Sequence, residues 1–235
     1  AVNITGNSGI ETLTLDGSTA YSGNLVLAAG TNVVTMVNGS NLGSATLTAS
    51  GGTIDFTIAS GASVTMSLAQ NDLLVAGTVT AAGTELITLA DAGTTTGDAA
   101  IETYFMFGGT NTFTIGAAAQ SVIGNSGNDS VNIGGLTATG TFSLGQGGVD
   151  TLFATTGADI KGINSGSATG AETLNLTGAI TMTAAQHNAF TTFTAGGGSD
   201  QITLSDVGTV TAAAAIETYV LANGTNSVTL STTAG

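Results

Sequence analysis

Nine acidic residues each stand immediately before a short stretch with the alternating pattern of a β-strand: Glu11, Asp55, Glu85, Glu102, Asp129, Asp150, Glu172, Asp200 and Glu217. After eight of the nine, apolar or small residues follow two and four places on, as Leu13 and Leu15 follow Glu11, Val131 and Ile133 follow Asp129, and Ile202 and Leu204 follow Asp200. Asp55 departs, with Phe56 and Ile58 one and three places on. Side chains alternate along a strand, so an acid that shares parity with the apolar positions points at the interior. An inward carboxylate is costly unless backbone N–H groups or a bound cation satisfies it. The longer Glu overshoots a tight turn and suits backbone capping, whereas the Asp turns suit a cation. Glycine stands two places before six of the acids, at Gly9, Gly83, Gly127, Gly148, Gly170 and Gly198, where a turn with positive φ needs it.

Other chemistry has little to work with. The single histidine, His187 in Thr183-Ala-Ala-Gln-His-Asn-Ala-Phe190, cannot serve a triad in each half of the chain, and Gly-x-Ser-x-Gly does not occur. His187 is expected as a polar surface side chain on a short helical turn capped by Thr183. Lys161, the only basic residue besides it, has no reactive neighbours and is expected as an exposed charge. A glycosidase would pair acids beside groups that orient a sugar, but these acids share parity with the core and the chain has neither Arg nor Trp. No enzyme activity is expected.

Composition narrows the partners. Fifteen acids against one base give a formal charge of -14, which repels nucleic acid and anionic lipid and attracts cations. With no Cys there is neither a disulfide framework nor a thiolate metal site. No stretch approaches the roughly 18 apolar residues of a membrane span, and the chain is expected to be a soluble internal or processed fragment.

The elements that must position the acids follow from a repeat. Ile87-Thr-Leu-Ala-Asp91 and Ala100-Ile-Glu-Thr-Tyr104 return as Ile202-Thr-Leu-Ser-Asp206 and Ala215-Ile-Glu-Thr-Tyr219, 115 positions later. Gly6-Asn-Ser-Gly9 returns as Gly124-Asn-Ser-Gly127 at an offset of 118. Two units result, 1–117 and 118–235, expected to form one continuous stack. Successive acids in the second unit lie 17 to 28 residues apart, and a second strand pattern falls midway in most intervals, as in Thr112-Phe-Thr-Ile115 and Ser227-Val-Thr-Leu230. The predicted fold is therefore all-β: a right-handed parallel β-solenoid, β-roll-like, with two strands per coil of about 17–30 residues.

Three segments carry a pattern with a family behind it: Gly124-Asn-Ser-Gly-Asn-Asp-Ser-Val-Asn132, Gly145-Gln-Gly-Gly-Val-Asp-Thr-Leu-Phe153 and Ala195-Gly-Gly-Gly-Ser-Asp-Gln-Ile-Thr203. They resemble the calcium-binding nonapeptide G-G-x-G-x-D-x-U-x of the repeats-in-toxin (RTX) family, each departing at one glycine, and Gly6-Asn-Ser-Gly-Ile-Glu-Thr-Leu-Thr14 is similar with Glu for Asp. The wider Thr/Gly/Ala-rich pattern is similar to repeat regions of Gram-negative surface-layer proteins and giant type I-secreted adhesins. The resemblance implies Ca2+ held by the carboxylates of Asp129, Asp150 and Asp200 with backbone carbonyls of Gly124, Ser126, Gly145, Gly147, Ala195 and Gly197. It also implies type I export and folding on calcium outside the cell.

The expected function is an extracellular, calcium-stabilised structural segment of a surface layer, filament or adhesin stalk, whose partners are further copies or neighbouring repeats. The alternative is an adhesin module that recognises glycan or ice through the outward Thr and Ser residues that follow the acids, such as Thr12, Ser130 and Thr151.

Overall fold

A computed structural model of the chain describes residues 1–17, 20–144, 147–162 and 171–231. The chain is all-β, a parallel β-solenoid of about ten turns. It divides into two compact units, Ala1–Phe107 and Gly108–Gly235.

In Ala1–Phe107 one sheet stacks Ile4–Thr5, Ala20–Leu27, Asn41–Ala49, Ser63–Met66, Leu86–Leu89 and Thr103–Phe105, and another stacks Thr12–Leu15, Thr31–Met36, Thr53–Ile58 and Val79–Thr80. Every neighbouring pair is parallel. The register places like on like: Leu13, Val34 and Phe56 form one file, Leu15, Met36 and Ile58 the next, and Val64, Ile87 and Tyr104 a third across the core. The alternation that predicts these strands is what fixes that register, because a slip of one residue would turn every file outward. Each fully buried aliphatic side chain contributes roughly 1.5–3 kcal/mol, so the files hold the stack together.

Gly108–Gly235 repeats the scheme. Asn111–Thr114, Asp129–Asn132, Asp150–Thr155, Ala171–Thr177 and Thr192–Ala195 stack in parallel and carry the file Phe113, Val131, Leu152, Leu174 and Phe193. Ala179–Met182, Gln201–Leu204 and Thr218–Val220 form a second sheet with Ile180, Ile202 and Tyr219 in file. Ser121–Ile123 pairs with Phe142–Ser143, and Thr209–Ala212 with Ser227–Leu230. Leu15, Val131, Ile133, Leu174, Leu176, Ile202 and Leu204 are all buried, while Leu13 in the first coil is half-buried.

Among the described residues two helices interrupt the strands at corresponding places, α1 (Leu68–Ala76) and α2 (Ala184–Ala189). Each opens with a capping box, Ser67 with Gln70 and Thr183 with Gln186, which satisfies two backbone donors reciprocally. The same glutamines bind one coil back: the side-chain amides of Gln70 and Gln186 donate to the carbonyls of Ala45 and Ile160. The helix at Thr183 matches expectation; its twin at Ser67 carries the same Ser-x-x-Gln signal.

Candidate functional site

The strand-initial positions form polar ladders. In each rung a backbone N–H donates to the side chain of the equivalent residue one coil on: Glu11 N to Asn32 Oδ1 at 3.0 Å, Glu85 N to Glu102 Oε2 at 2.8 Å, Asp129 N to Asp150 Oδ1 at 2.7 Å, and Asp200 N to Glu217 Oε2 at 2.8 Å. Turn N–H groups add to this. Asn7 N and Ala28 N donate to Glu11, Gly61 N to Glu85, Asn125 N to Asp129, and Gly178 N to Asp200. Alternation buries Asn32, Glu85, Asp129, Asp150 and Asp200, leaves Glu11 and Glu102 half-buried and Glu217 in a late coil exposed, and one coil's rise of roughly 4.8 Å brings each within reach of its neighbour's strand start. Asp and Glu therefore do the same work: the division that reserves capping for Glu does not appear in the geometry.

Asparagines share the ladder. Asn111 Nδ2 donates to Asp129 Oδ1 at 2.7 Å and to the Gly109 carbonyl at 3.2 Å, and Asn32 Nδ2 donates to the carbonyls of Ala28, Gly30 and Thr53. Near the other end, Asn226 takes the Gly208 N–H on its Oδ1 and donates to the carbonyls of Ala222 and Gly224. A reading restricted to acids misses them. The signal is Gly-Thr-Asn before an alternating run, at 30–32, 109–111 and 224–226. An amide both donates and accepts, so it bridges coils without charge.

Burial sets the electrostatics. Glu85, Asp129, Asp150 and Asp200 are buried, and the one ion pair among the described residues is Lys161 with Asp159 at 2.6 Å, on an exposed lysine. Burial pushes the Asp129 carboxyl above the usual range, partly offset by its bonds from Asn111 and Asn125. Glu102 is also raised, first by burial and further by neighbouring Glu85. Glu85 Oε2 and Asp200 Oδ2 are buried and find no hydrogen-bond donor among the described residues.

The residues implied as calcium ligands fall into two groups. Asp129 and Asp150 are joined by the ladder bond, and Gly124 lies against the Asp129 carboxylate, where a Cβ would come within 2.6 Å of Oδ2. The carbonyls of Ser126 and Gly147 accept the N–H groups of Gly109 and Gly127, one coil away. Gly145 lies outside the described residues. Asp200 opens another strand, with Gly197 in the preceding turn and Ala195 at the end of a strand of a different sheet. Calcium takes roughly six to eight oxygens. At Asp129 both carboxylate oxygens already accept N–H donors, so that turn fits a cation poorly as built. Asp200, with one buried oxygen open, fits better. No cluster of three His, Cys, Asp or Glu that would hold a metal occurs among the described residues.

His187 corrects its sequence reading: it is buried, not a surface side chain. Its ring stacks on Phe193 at 4.6 Å and meets Tyr219 edge-on, with Nε2 3.0 Å from the Tyr219 hydroxyl, and burial lowers its pKa. Its counterpart Asn71 is also buried and donates to Thr95 Oγ1 and the Thr96 carbonyl, so this position fills a polar niche beside each helix.

No protein-family model matches this chain, and no curated protein or solved structure matches it either.

Proposed function

We propose that this chain is a structural repeat segment of a larger extracellular protein, one that builds a surface layer, a filament or the stalk of an adhesin. The observation that carries the reading is the ladder. The strand-initial acids of the ladder, most of them buried or half-buried, are spent on joining one coil to the next. A chain whose reactive groups are consumed in stacking has stacking as its product, and catalysis is not proposed. Export through a type I system and assembly with further copies belong to the same reading, supported by the glycine-rich Asp turns and the acidic, base-poor composition.

Calcium is part of the proposal. Asp200 would hold it through Oδ2 with turn carbonyls near Gly197, and the ion would supply the positive charge that no basic side chain provides there. Binding to the folded state alone raises stability by mass action. A thermal melt in calcium and then in excess chelator tests this. A midpoint that falls on chelation, and falls less in Asp200→Ala, supports it; an unchanged midpoint removes calcium from the account.

A further inference from the structure

The first and last described coils carry the two sides of a joint that the molecule already contains. The joint lies inside Gly108–Gly235, where the coil at Gly109-Thr-Asn111 meets the coil at Gly124-Asn-Ser-Gly127 and Asp129. Across it Gly109 N donates to the Ser126 carbonyl at 2.7 Å, Asn111 N to that of Asn128 at 3.2 Å, and Ile115 N to that of Asn132 at 3.0 Å. Asn111 Nδ2 donates to Asp129 Oδ1, and Thr114 lies opposite Asn132. Gly127, at φ +127, crosses so close that a Cβ would come within 2.3 Å of the Gly109 carbonyl oxygen.

Both sides of this joint recur, unjoined. Gly109-Thr-Asn111 returns 115 positions later as Gly224-Thr-Asn226, followed by Ser227–Leu230. Gly124-Asn-Ser-Gly127 with Asp129 stands 118 positions after Gly6-Asn-Ser-Gly9 with Glu11. The geometry recurs along with the letters. Asn226 donates to the Gly224 carbonyl as Asn111 does to that of Gly109, and Glu11 accepts from Asn7 N at 3.2 Å as Asp129 does from Asn125 N at 3.3 Å. Where Gly127 is pressed against Gly109, Gly9 at φ +144 has nothing within 4 Å. Phe113 and Ile115 are buried in the joint, while the corresponding Val228 is half-exposed and Leu230 is 75% exposed; at the other end Leu13, in the place of the buried Val131, is only half-buried.

The geometry points to a head-to-tail contact in which the first coil of a second copy of this chain covers the last described coil of the first. It rests on the structural reading above and names the partner. Transferred by the two offsets, the register sets Asn226 against Glu11, Val228 against Leu13 and Thr229 against Thr14. Gly224 N then donates to the carbonyl of Ser8, Asn226 N to that of Ile10 and Leu230 N to that of Thr14. The Asn226 amide meets the Glu11 carboxylate, and Gly9 crosses Gly224. Unpaired edge strands supply the backbone donors and acceptors, and apolar side chains at both ends supply the burial.

The chain has no Cys, so an introduced pair reports only on itself. Thr14 and Thr229 are both exposed, and either substitution leaves the core untouched. Mild oxidation of the T14C/T229C double variant should give a covalent series of dimer, trimer and larger species, whereas T14C or T229C alone, each facing a threonine across the joint, should stay monomeric. Leu230→Lys, at an exposed position, should abolish the series in the triple variant with an unchanged circular dichroism spectrum. A double variant that cross-links no further than the single ones overturns the joint. Sedimentation of the unmodified chain then separates the causes. Association without the cross-linked series means that copies meet through another surface, which sinks this contact but leaves the structural role standing. A strict monomer at high concentration counts against both.

Discussion

At the scale of single residues, the ladder turns a liability into a connector. A buried carboxylate without a basic partner is costly, and here backbone N–H groups from turns and neighbouring strand starts offset part of that cost. Asp129 shows the consequences best, since it takes the Asn111 amide and the Asn125 N–H and donates its own N–H to Asp150. Asp129→Ala removes an acceptor from the Asn111 amide and from the Asn125 N–H and should destabilise the fold by about 2–4 kcal/mol, measured by denaturant unfolding at neutral pH. The pH dependence follows from the direction of the shifts. Asp129 and Glu102 are raised in the fold, so their contribution is fully present below the unfolded carboxylate range and is lost as pH rises through the higher folded values. In chelator, the melting midpoint should therefore fall as pH climbs out of the ordinary carboxylate range and then level off. In Asp129→Ala that slope should be shallower; an identical slope would show that Asp129 is not among the groups responsible.

At the scale of elements, short strands and two helices are tied by side chains that reach exactly one coil. The helices illustrate how local signals and stacking agree: Gln186 closes the capping box with Thr183 and also binds the Ile160 carbonyl, as Gln70 does with Ser67 and Ala45. Gln186→Ala should cost about 1–2 kcal/mol, and Gln70→Ala a similar amount, because each loses a cap and a buried bond between coils. In a repeat array such losses stay local, so hydrogen exchange should quicken near the altered helix and not several coils away. Much of this was legible beforehand. Period-two apolar positions at coil spacing gave the inward faces of Val131, Leu174 and Ile202, and the parity of the acids gave the inward aim of Glu85, Asp129, Asp150 and Asp200, while Glu217 is exposed. What the acids bond to across coils was not legible, because those N–H groups come from residues 17 to 24 positions away; only the turn donors of Glu11 and Asp129, four residues off, are local. The burial of His187 was hidden for the same reason: Phe193 and Tyr219, which enclose it, come together only through stacking.

At the scale of the whole molecule, the account is of a chain that builds by repetition. Its two copies of one pattern give parallel coils, the strand-initial Asp, Glu and Asn residues link each coil to the next, and the first and last described coils carry the two sides of an internal joint. Electron microscopy of the concentrated, unmodified chain, with and without calcium, tests that claim most directly. The account predicts copies joined end to end in ordered strings with no added ligand. Dispersed single particles at every concentration, in calcium and in chelator alike, would contradict it.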